Sequence, residues 1–561
     1  MWNFLMLSVI VTIVSLLFRH HLTSPISIVD HPETSYDYII VGAGTAGCVM
    51  ASRLSENSNV SVLLVEAGGY FNWLSSIPLV APGLQKSQFD WSFKTETQKY
   101  SSKGLWDYQQ IIPRGKGLGG SGQLNYLVHS FGRPEDYDHW PRGWSYSDLR
   151  PYFIRVAETM RVREADESIE LVRALSIAER AMNETDVKFS KAQTTLFEGS
   201  RWSTFHSHLQ RAWNRRNLHI LVNTLVTKVL LNVTNRSDGI EIRYVDGIRE
   251  KIEARREVVL CAGAIGTPHL LLLSGIGPAN DLRKLKVDVR MDMPAVGKNY
   301  FDHLNMPVSV NVDAPVSVTL AKLQTFATLA DYFVFKTGYL ATNGIMGMAR
   351  LDNSGVILAG VAANEKLLKD LANYRTETFR SLYPTYNDTV REGFLLMSSC
   401  LQPHSRGYVA LRSQEPTDRP IIEPAFLERH QDVACTTKAI RLGLSILETP
   451  LFREFGAEVH VPDLEECQHL PQDYYNDAFA ECAIRTSALT AHHPCGTCRM
   501  GENRDNETVV DEFLRVYGIE GLRIVDASVF SVPISGNPNS VIIALAEKAA
   551  DIISQSTGSR R

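Results

Sequence analysis

Tyr36-Asp37-Tyr38-Ile39-Ile40-Val41 runs straight into Gly42-Ala43-Gly44-Thr45-Ala46-Gly47, and Cys48-Val49-Met50-Ala51-Ser52-Arg53-Leu54 follows. The first six residues have the mostly apolar make-up of a strand buried on both faces. The last seven place their apolar residues at helical spacing. Val60 to Val65 (VSVLLV) reads as the next strand and ends on Glu66. Strand, glycines, helix, strand and acid in that order form a dinucleotide-binding βαβ unit. Gly42 permits the tight turn, Gly44 lets a pyrophosphate approach the backbone, and Gly47 allows close helix–strand packing. The helix start, with Thr45, presents free N–H groups and a positive dipole end to phosphate. Glu66, 19 residues after Gly47, is placed to accept hydrogen bonds from a ribose 2′-hydroxyl. Its charge disfavours a 2′-phosphate, so NADP is not expected. By itself the motif does not separate FAD from NAD.

Composition frames this unit. The chain has 561 residues, 44% hydrophobic and 21% charged, enough for two large globular units or several smaller ones. Lys+Arg 57 against Asp+Glu 62 leaves a net charge of −5. Nucleic-acid binders usually carry a strong basic excess, so no nucleic-acid partner is expected. Trp2 to Phe18 (WNFLMLSVIVTIVSLLF) is uncharged over 17 residues. It precedes a complete domain, so residues 1–25 read as a signal peptide or membrane anchor rather than a core helix. Arg19 behind it and no basic residue before it run against a simple positive-inside reading of a luminal chain. A secreted, secretory-pathway or membrane-anchored protein is expected. Six sequons, at Asn59, Asn183, Asn232, Asn235, Asn387 and Asn506, fit a luminal glycoprotein. Asn59, just before a buried strand, is the poorest acceptor among them. Cys467 and Cys482 flank a polar stretch and either pair in an oxidising compartment or stay as buried thiols. Cys495-Gly496-Thr497-Cys498 lacks a second CxxC, so no metal site is expected.

Further motifs follow in order. Pro113-Arg114-Gly115-Lys116-Gly117-Leu118-Gly119-Gly120-Ser121 leads to Asn125, then to Arg133-Pro134-Glu135-Asp136-Tyr137. The glycine-rich run can lie flat against a cofactor and offer it N–H groups. Gly263-Ala264-Ile265-Gly266-Thr267-Pro268 leads to Leu273-Ser274-Gly275-Ile276-Gly277-Pro278, with a helix expected over 268–273 and His269 as a structural residue. Val296-Gly297-Lys298-Asn299 precedes Asp302-His303. His493-Pro494-Cys495-Gly496-Thr497-Cys498-Arg499-Met500-Gly501 comes late, and Gly521 to Ser528 and Gly536-Asn537-Pro538-Asn539 close the series. Asp526 ends a strand expected over 522–525, which faces it into the ligand crevice of an open α/β sheet. A helix is expected over 540–553. Gly407 to Arg412 alternates like a strand of an antiparallel sheet, and Arg161 to Glu170 reads as solvated surface.

From about Tyr36 to Ile553 these motifs resemble the glucose-methanol-choline (GMC) oxidoreductases, in the style of their arthropod glucose-dehydrogenase-like branch. The resemblance implies an α/β fold, a Rossmann-type FAD-binding domain interleaved with an α+β substrate domain built on an antiparallel sheet. It implies an FAD-binding part over 36–305, within which 151–214 contributes to the substrate domain. The substrate domain continues over 306–489, a C-terminal FAD and catalytic segment covers 490–553, and 554–561 is a disordered tail. FAD is implied as cofactor, and Ala67-Gly68-Gly69 beyond the acid suits it. Its expected contacts are Gly42, Gly44, Thr45, Gly47, Glu66, Gly119, Asn125, Val226, Asp526, Ala527, Asn537 and Pro538.

The implied reaction oxidises the CH–OH group of a sugar, sterol, retinoid or other small alcohol by hydride transfer to flavin N5. A quinone, a dye or oxygen then accepts the electrons. His493, followed at once by Pro494, falls on the family's catalytic histidine, with His492 as the competing register. Neutral imidazole suits the base, because its pKa lies near working pH. Asn537 falls on the second catalytic position, where an amide can donate to the substrate oxygen but cannot act as base. Leu124 stands where some relatives link a histidine to flavin, so the FAD is expected to be non-covalent. Ser121-Gly122, Glu512 and the short stretch Arg350 to Asn373 depart from the family pattern, and none of them removes a catalytic group. Two rivals share the fold: a hydroxynitrile-lyase-like enzyme and a non-catalytic flavoprotein. The intact His493 and Asn537 argue against the second.

Overall fold

A computed structural model describes residues 27–166, 170–173 and 188–558. The signal or anchor expected over 1–25 and the sequon at Asn183 lie outside these residues. Among the described residues no helix is long and apolar enough to cross a membrane.

In chain order the elements that matter begin with β1 (Ser35–Val41), α1 (Thr45–Leu54), β2 (Val62–Val65), α2 (Tyr146–Thr159) and β3 (Lys188–Lys191). Next come β4 (Leu218–Leu221), β5 (Leu225–Leu231), β6 (Ser237–Arg243), β7 (Arg249–Leu260), α3 (Gly263–Leu273) and β8 (Leu304–Asn311). Then follow β9 (Ile345–Leu351), β10 (Ser354–Ala359), β11 (Gly393–Cys400), α4 (His430–Leu447) and β12 (Glu458–Val459). The last are β13 (Leu489–Thr490), β14 (Leu522–Ile524) and α5 (Asn539–Gly558).

A seven-stranded sheet has the order β4-β2-β1-β7-β6-β5, with β14 also on β7. The composition of β7 explains this fork. Its first half alternates, burying Ile252 and Ala254 between exposed Glu253 and Arg255, and pairs antiparallel with β6. Its second half, Val258-Val259-Leu260, is fully buried and lies between two parallel neighbours, β1 and β14. Alternation suits a sheet with one wet face, and a continuous apolar run suits one covered on both. Helices α1 and α5 pack against each other beside this sheet. Arg53 of α1 is ion-paired with Glu547 and Asp551 of α5.

The second sheet, also seven-stranded, runs β12-β8-β11-β10-β9-β3, with β13 also on β8, and every pairing is antiparallel. Helix α4 covers one face, with Gly443 against Leu396 of β11. Cys400–Cys435 fastens β11 to α4, and Cys467–Cys482 forms a second disulfide. The latter settles the pairing left open above; the former had no sequence signal.

Three expectations are corrected. Residues 408–410 do alternate, but they pair with 421–423 in a separate two-stranded ribbon and not in the antiparallel sheet. Val409 and Ile422 pack there on Ile265 of α3. The segment 151–214 does not belong wholly to the substrate side. Leu149, Phe153 and Val156 of α2 lie in the core of the nucleotide-binding unit, and Tyr152 and Arg155 bond Asp551 and Glu547 of α5. Among the described residues of that segment, only β3 joins the substrate sheet. Finally, α5 runs five residues past Ile553 to Gly558, so much of the expected tail is helical, and 559–561 lie outside the described residues.

Candidate active site

The parallel strands β1, β2, β7 and β14 all end at one edge of the first sheet, and the loops after them form a crevice. Gly42 leaves β1 at φ +97°, a backbone open to glycine. A Cβ on Gly47 would sit 1.8 Å from the Gly42 carbonyl oxygen, so α1 could not approach β1 with any larger residue. A Cβ on Gly44 would meet nothing within 4 Å. The start of α1 therefore faces open space, as a phosphate cradle requires. The Gly119 N–H donates to the Ala43 carbonyl (2.8 Å) and lays the second glycine loop on the first. Thr45 Oγ1 donates to Asn539 Oδ1 (3.0 Å), joining the start of α1 to that of α5, just after Asn537 and Pro538.

Glu66 lies buried at the end of β2. It accepts the N–H groups of Ala43 (2.8 Å) and Gly68 (2.9 Å). Burial outweighs these donors and pushes its pKa up to about 7. The Gly117 N–H also reaches Glu66, which leaves one lone pair able to accept from a ribose hydroxyl. Asp526 caps α3: Gly263 N–H (2.9 Å) and Thr267 Oγ1 (2.6 Å) donate to Oδ2, and Ser528 N–H donates to Oδ1 (2.8 Å). The Ala527 carbonyl accepts Gly496 N–H (3.0 Å). Val226 is buried in β5, two residues beyond Thr224, whose N–H donates to the Glu66 carbonyl (3.0 Å).

Asn125 is held by a residue that sequence reasoning missed. Arg201, 1% exposed, donates to Asn125 Oδ1 and carbonyl (both 2.7 Å) and to the carbonyls of Gly122 and Ser75 (both 2.9 Å). No motif surrounds this arginine, and only its four acceptors reveal its role as the anchor of the glycine loop.

His493 and Asn537 meet at a cavity of about 210 Å³ between the crevice and the substrate sheet. Asn537 Nδ2 lies 3.1 Å from His493 Nε2. His493 Nδ1 lies 2.9 Å from His303 Nδ1, and His303 Nε2 lies 3.0 Å from the Leu401 carbonyl oxygen. With both imidazoles neutral, these contacts point to one proton arrangement. A carbonyl only accepts, so His303 Nε2 carries the hydrogen and its Nδ1 the lone pair. His493 Nδ1 must then donate, which leaves the lone pair of neutral His493 on Nε2, facing the Asn537 amide. Burial first, then His303, His492 and Arg114, holds the His493 pKa well below its ordinary value, so the imidazole stays neutral.

The backbone is clamped as well. His493 N–H donates to Asp302 Oδ1 (2.8 Å), and Thr490 Oγ1 donates to Asp302 Oδ2 (2.6 Å). His492 sits at φ +63°, and its carbonyl accepts Arg114 Nη2 (2.6 Å). This turn aims His493, not His492, into the cavity. Asp302 and His303 stand in a motif read above without a role; an Asp-His pair just before an alternating strand was the available signal. Cys495 and Cys498 are buried thiols, and His269 lies on α3 outside the cavity lining.

Comparison with known proteins places this geometry. The family model described as GMC oxidoreductase matches residues 36–305, and a second of the same description matches 403–546. "Neither inactivation nor afterpotential protein G" of Drosophila melanogaster is 34% identical, over 98% of this chain and 96% of its own length. "Glucose dehydrogenase [FAD, quinone]" of the same fly is 30% identical over 94% and 88%. The solved pyridoxine 4-oxidase from Mesorbium loti is 26% identical with a TM-score of 0.75, covering 93% of this chain and 99% of that one. The open cradle at Gly44, the acid at Glu66 and the clustered helix starts fit FAD. The chain belongs to the GMC oxidoreductases and is an FAD-dependent oxidoreductase.

Proposed function

We propose that this enzyme oxidises a small-molecule alcohol at its CH–OH group, with His493 as the base. The carrying observation is the proton assignment through Leu401, His303, His493 and Asn537, which leaves one lone pair, on His493 Nε2, at the cavity. A substrate hydroxyl placed there gives its proton to Nε2. Asn537, an amide donor at 3.1 Å from that nitrogen, turns its N–H to the alkoxide oxygen and holds the developing charge. The imidazolium keeps its Nδ1–H on His303, so accepting the proton requires no rotation of the ring. FAD, when bound, supplies the two-electron oxidant. Leu124 is buried and offers no nucleophile, which supports a non-covalent cofactor.

The reading also takes residues 1–25 as the targeting segment of a chain in the secretory pathway, outside the cell or held at a membrane. The two disulfides suit such an oxidising compartment. The test is anaerobic bleaching of the bound flavin across a panel of sugars, sterols, retinoids and aliphatic alcohols. His493→Gln should retain the yellow cofactor and abolish bleaching. Unchanged turnover in that variant would exclude the base assignment.

A further inference from the structure

Four residues lie in one line across the substrate sheet. Asn305 on β8 stands opposite Ser399 on β11, Ser399 opposite Gly355 on β10, and Gly355 opposite Arg350 on β9. Opposed positions on neighbouring strands share a face, and all four line the cavity that holds His493 and Asn537. The next line, with Met397, Ile357 and Met348, is apolar and lines the same cavity. Asn305 follows His303 by two residues and Ser399 precedes Leu401 by two. The polar line therefore starts roughly 7 Å from the histidine chain. Arg350 stands at its far end, three strand spacings or roughly 14 Å from Asn305.

Two features mark the line as built for a ligand. Ser399 is 5% exposed, yet its Oγ has no hydrogen-bond partner among the described residues, an uncompensated burial that a bound acceptor relieves. Arg350, half-buried, has no ion pair among the described residues. Two acids face it: Asp136, already engaged by Arg133, Gln402 and Ser535, and Glu135, which is exposed. Among the described residues no Asp or Glu lines the cavity. Gly355 keeps the line flat between the serine and the arginine.

Resting on the alcohol-oxidising reading, we infer that this line recognises a carboxylate at the far end of the substrate, so that the preferred substrates are hydroxycarboxylates with a short apolar stem. The guanidinium fork matches a carboxylate in two hydrogen bonds. Ser399 and Asn305 add donors, and the methionine and isoleucine line covers the stem. A cationic alcohol such as choline meets Arg350 with like charge.

The experiment uses FAD-loaded enzyme and ω-hydroxy acids of increasing length, each matched with the diol of the same length and with choline. Binding of hexanoate, which carries no hydroxyl, is measured separately by calorimetry. The expected result is a KM for the best hydroxy acid roughly 10- to 100-fold below that of its diol, together with measurable hexanoate binding. Arg350→Met should collapse that ratio to about one and abolish hexanoate binding, whereas Arg350→Lys should keep part of both. Ser399→Ala, a smaller change, should weaken hexanoate binding should Arg350→Met fail to fold. Diols or choline preferred at every length, or hexanoate binding unmoved by these substitutions, would overturn the inference. The two readings fail separately. An enzyme that no alcohol reduces but that binds hexanoate through Arg350 loses the oxidation reading and keeps the carboxylate site. One reduced equally by acid and diol does the reverse.

Discussion

Replacing His303 by leucine removes two contacts at once: the acceptor for His493 Nδ1–H at 2.9 Å and the donor to the Leu401 carbonyl at 3.0 Å. Both orphaned groups are part-buried, and an orphaned buried donor or acceptor costs about 1–3 kcal/mol. The chain relieves that cost by moving the His493 proton from Nδ1 to Nε2, where Asn537 can turn its carbonyl to accept it. That tautomer has no lone pair at the cavity. Conversion of most His493 to it would slow the proton-accepting step roughly 10- to 100-fold. His303→Leu should therefore bleach its flavin that much more slowly in anaerobic stopped flow while purifying with normal FAD content. His303→Asn, whose Oδ1 sits near the lost Nδ1 and accepts, should recover most of the rate. A second readout separates positioning from simple packing. In the assigned chain neutral His303 accepts His493 Nδ1–H and so favours the imidazolium, and its loss should move the acid limb of kcat/KM to lower pH. A leucine variant within about threefold of wild type, with an unshifted pH profile, would refute the proton assignment.

Further outcomes follow from the same geometry. Gly47→Ala forces a methyl to 1.8 Å from the Gly42 carbonyl oxygen, so the purified protein should be colourless; a yellow preparation would contradict the crevice assignment. Replacing Cys467 and Cys482 by alanine opens a loop of 15 residues and should lower stability by roughly 3 kcal/mol in urea titration; an unchanged midpoint would show the bond to be dispensable. Burial lowers the pKa of His129, His206 and His269 to about 4 and of His492 to about 3, from an ordinary 6.5. The unfolded chain then binds more protons below pH 6.5, so their stability is fully present above that pH and is lost as pH falls toward 4. Glu66 and Asp302, raised to about 7 and about 6, act in the opposite sense over the same window. Four imidazoles outnumber two carboxylates, so Tm should fall on acidification from pH 6.5 to 4; a flat or rising Tm would contradict this balance.

Much of the nucleotide crevice was legible because its residues act through backbone demands that leave a trace in composition. Gly42, Gly44 and Gly47 are spaced by the turn itself, and Glu66 ends an unbroken apolar strand. The substrate side is legible only in outline. Its strands alternate, but alternation does not say which strand pairs with which, and residues 408–410 alternate as well as any of them while pairing elsewhere. His493, the base proposed above, was singled out by the motif around it. Its partner was not, because the His303–His493 contact joins residues 190 apart and depends on where a strand begins. Arg201 was invisible for a similar reason: its importance lies in four carbonyl and amide acceptors that no local pattern records. Cys400 and Cys435 likewise gave no signal until β11 and α4 were stacked.

The Leu401 carbonyl that orients His303 follows directly on β11 of the substrate sheet, while the histidine it ultimately steers lies in the C-terminal segment beside the flavin crevice. Selectivity and reactivity are thus inherited as one piece. Swapping the sheet of one relative into another, an obvious route to altered substrate range, exchanges the far terminus of the hydrogen-bond chain that orients His493 at the same time. A chimera with a perfectly shaped pocket stays inactive unless the graft restores the register of 401 against 303.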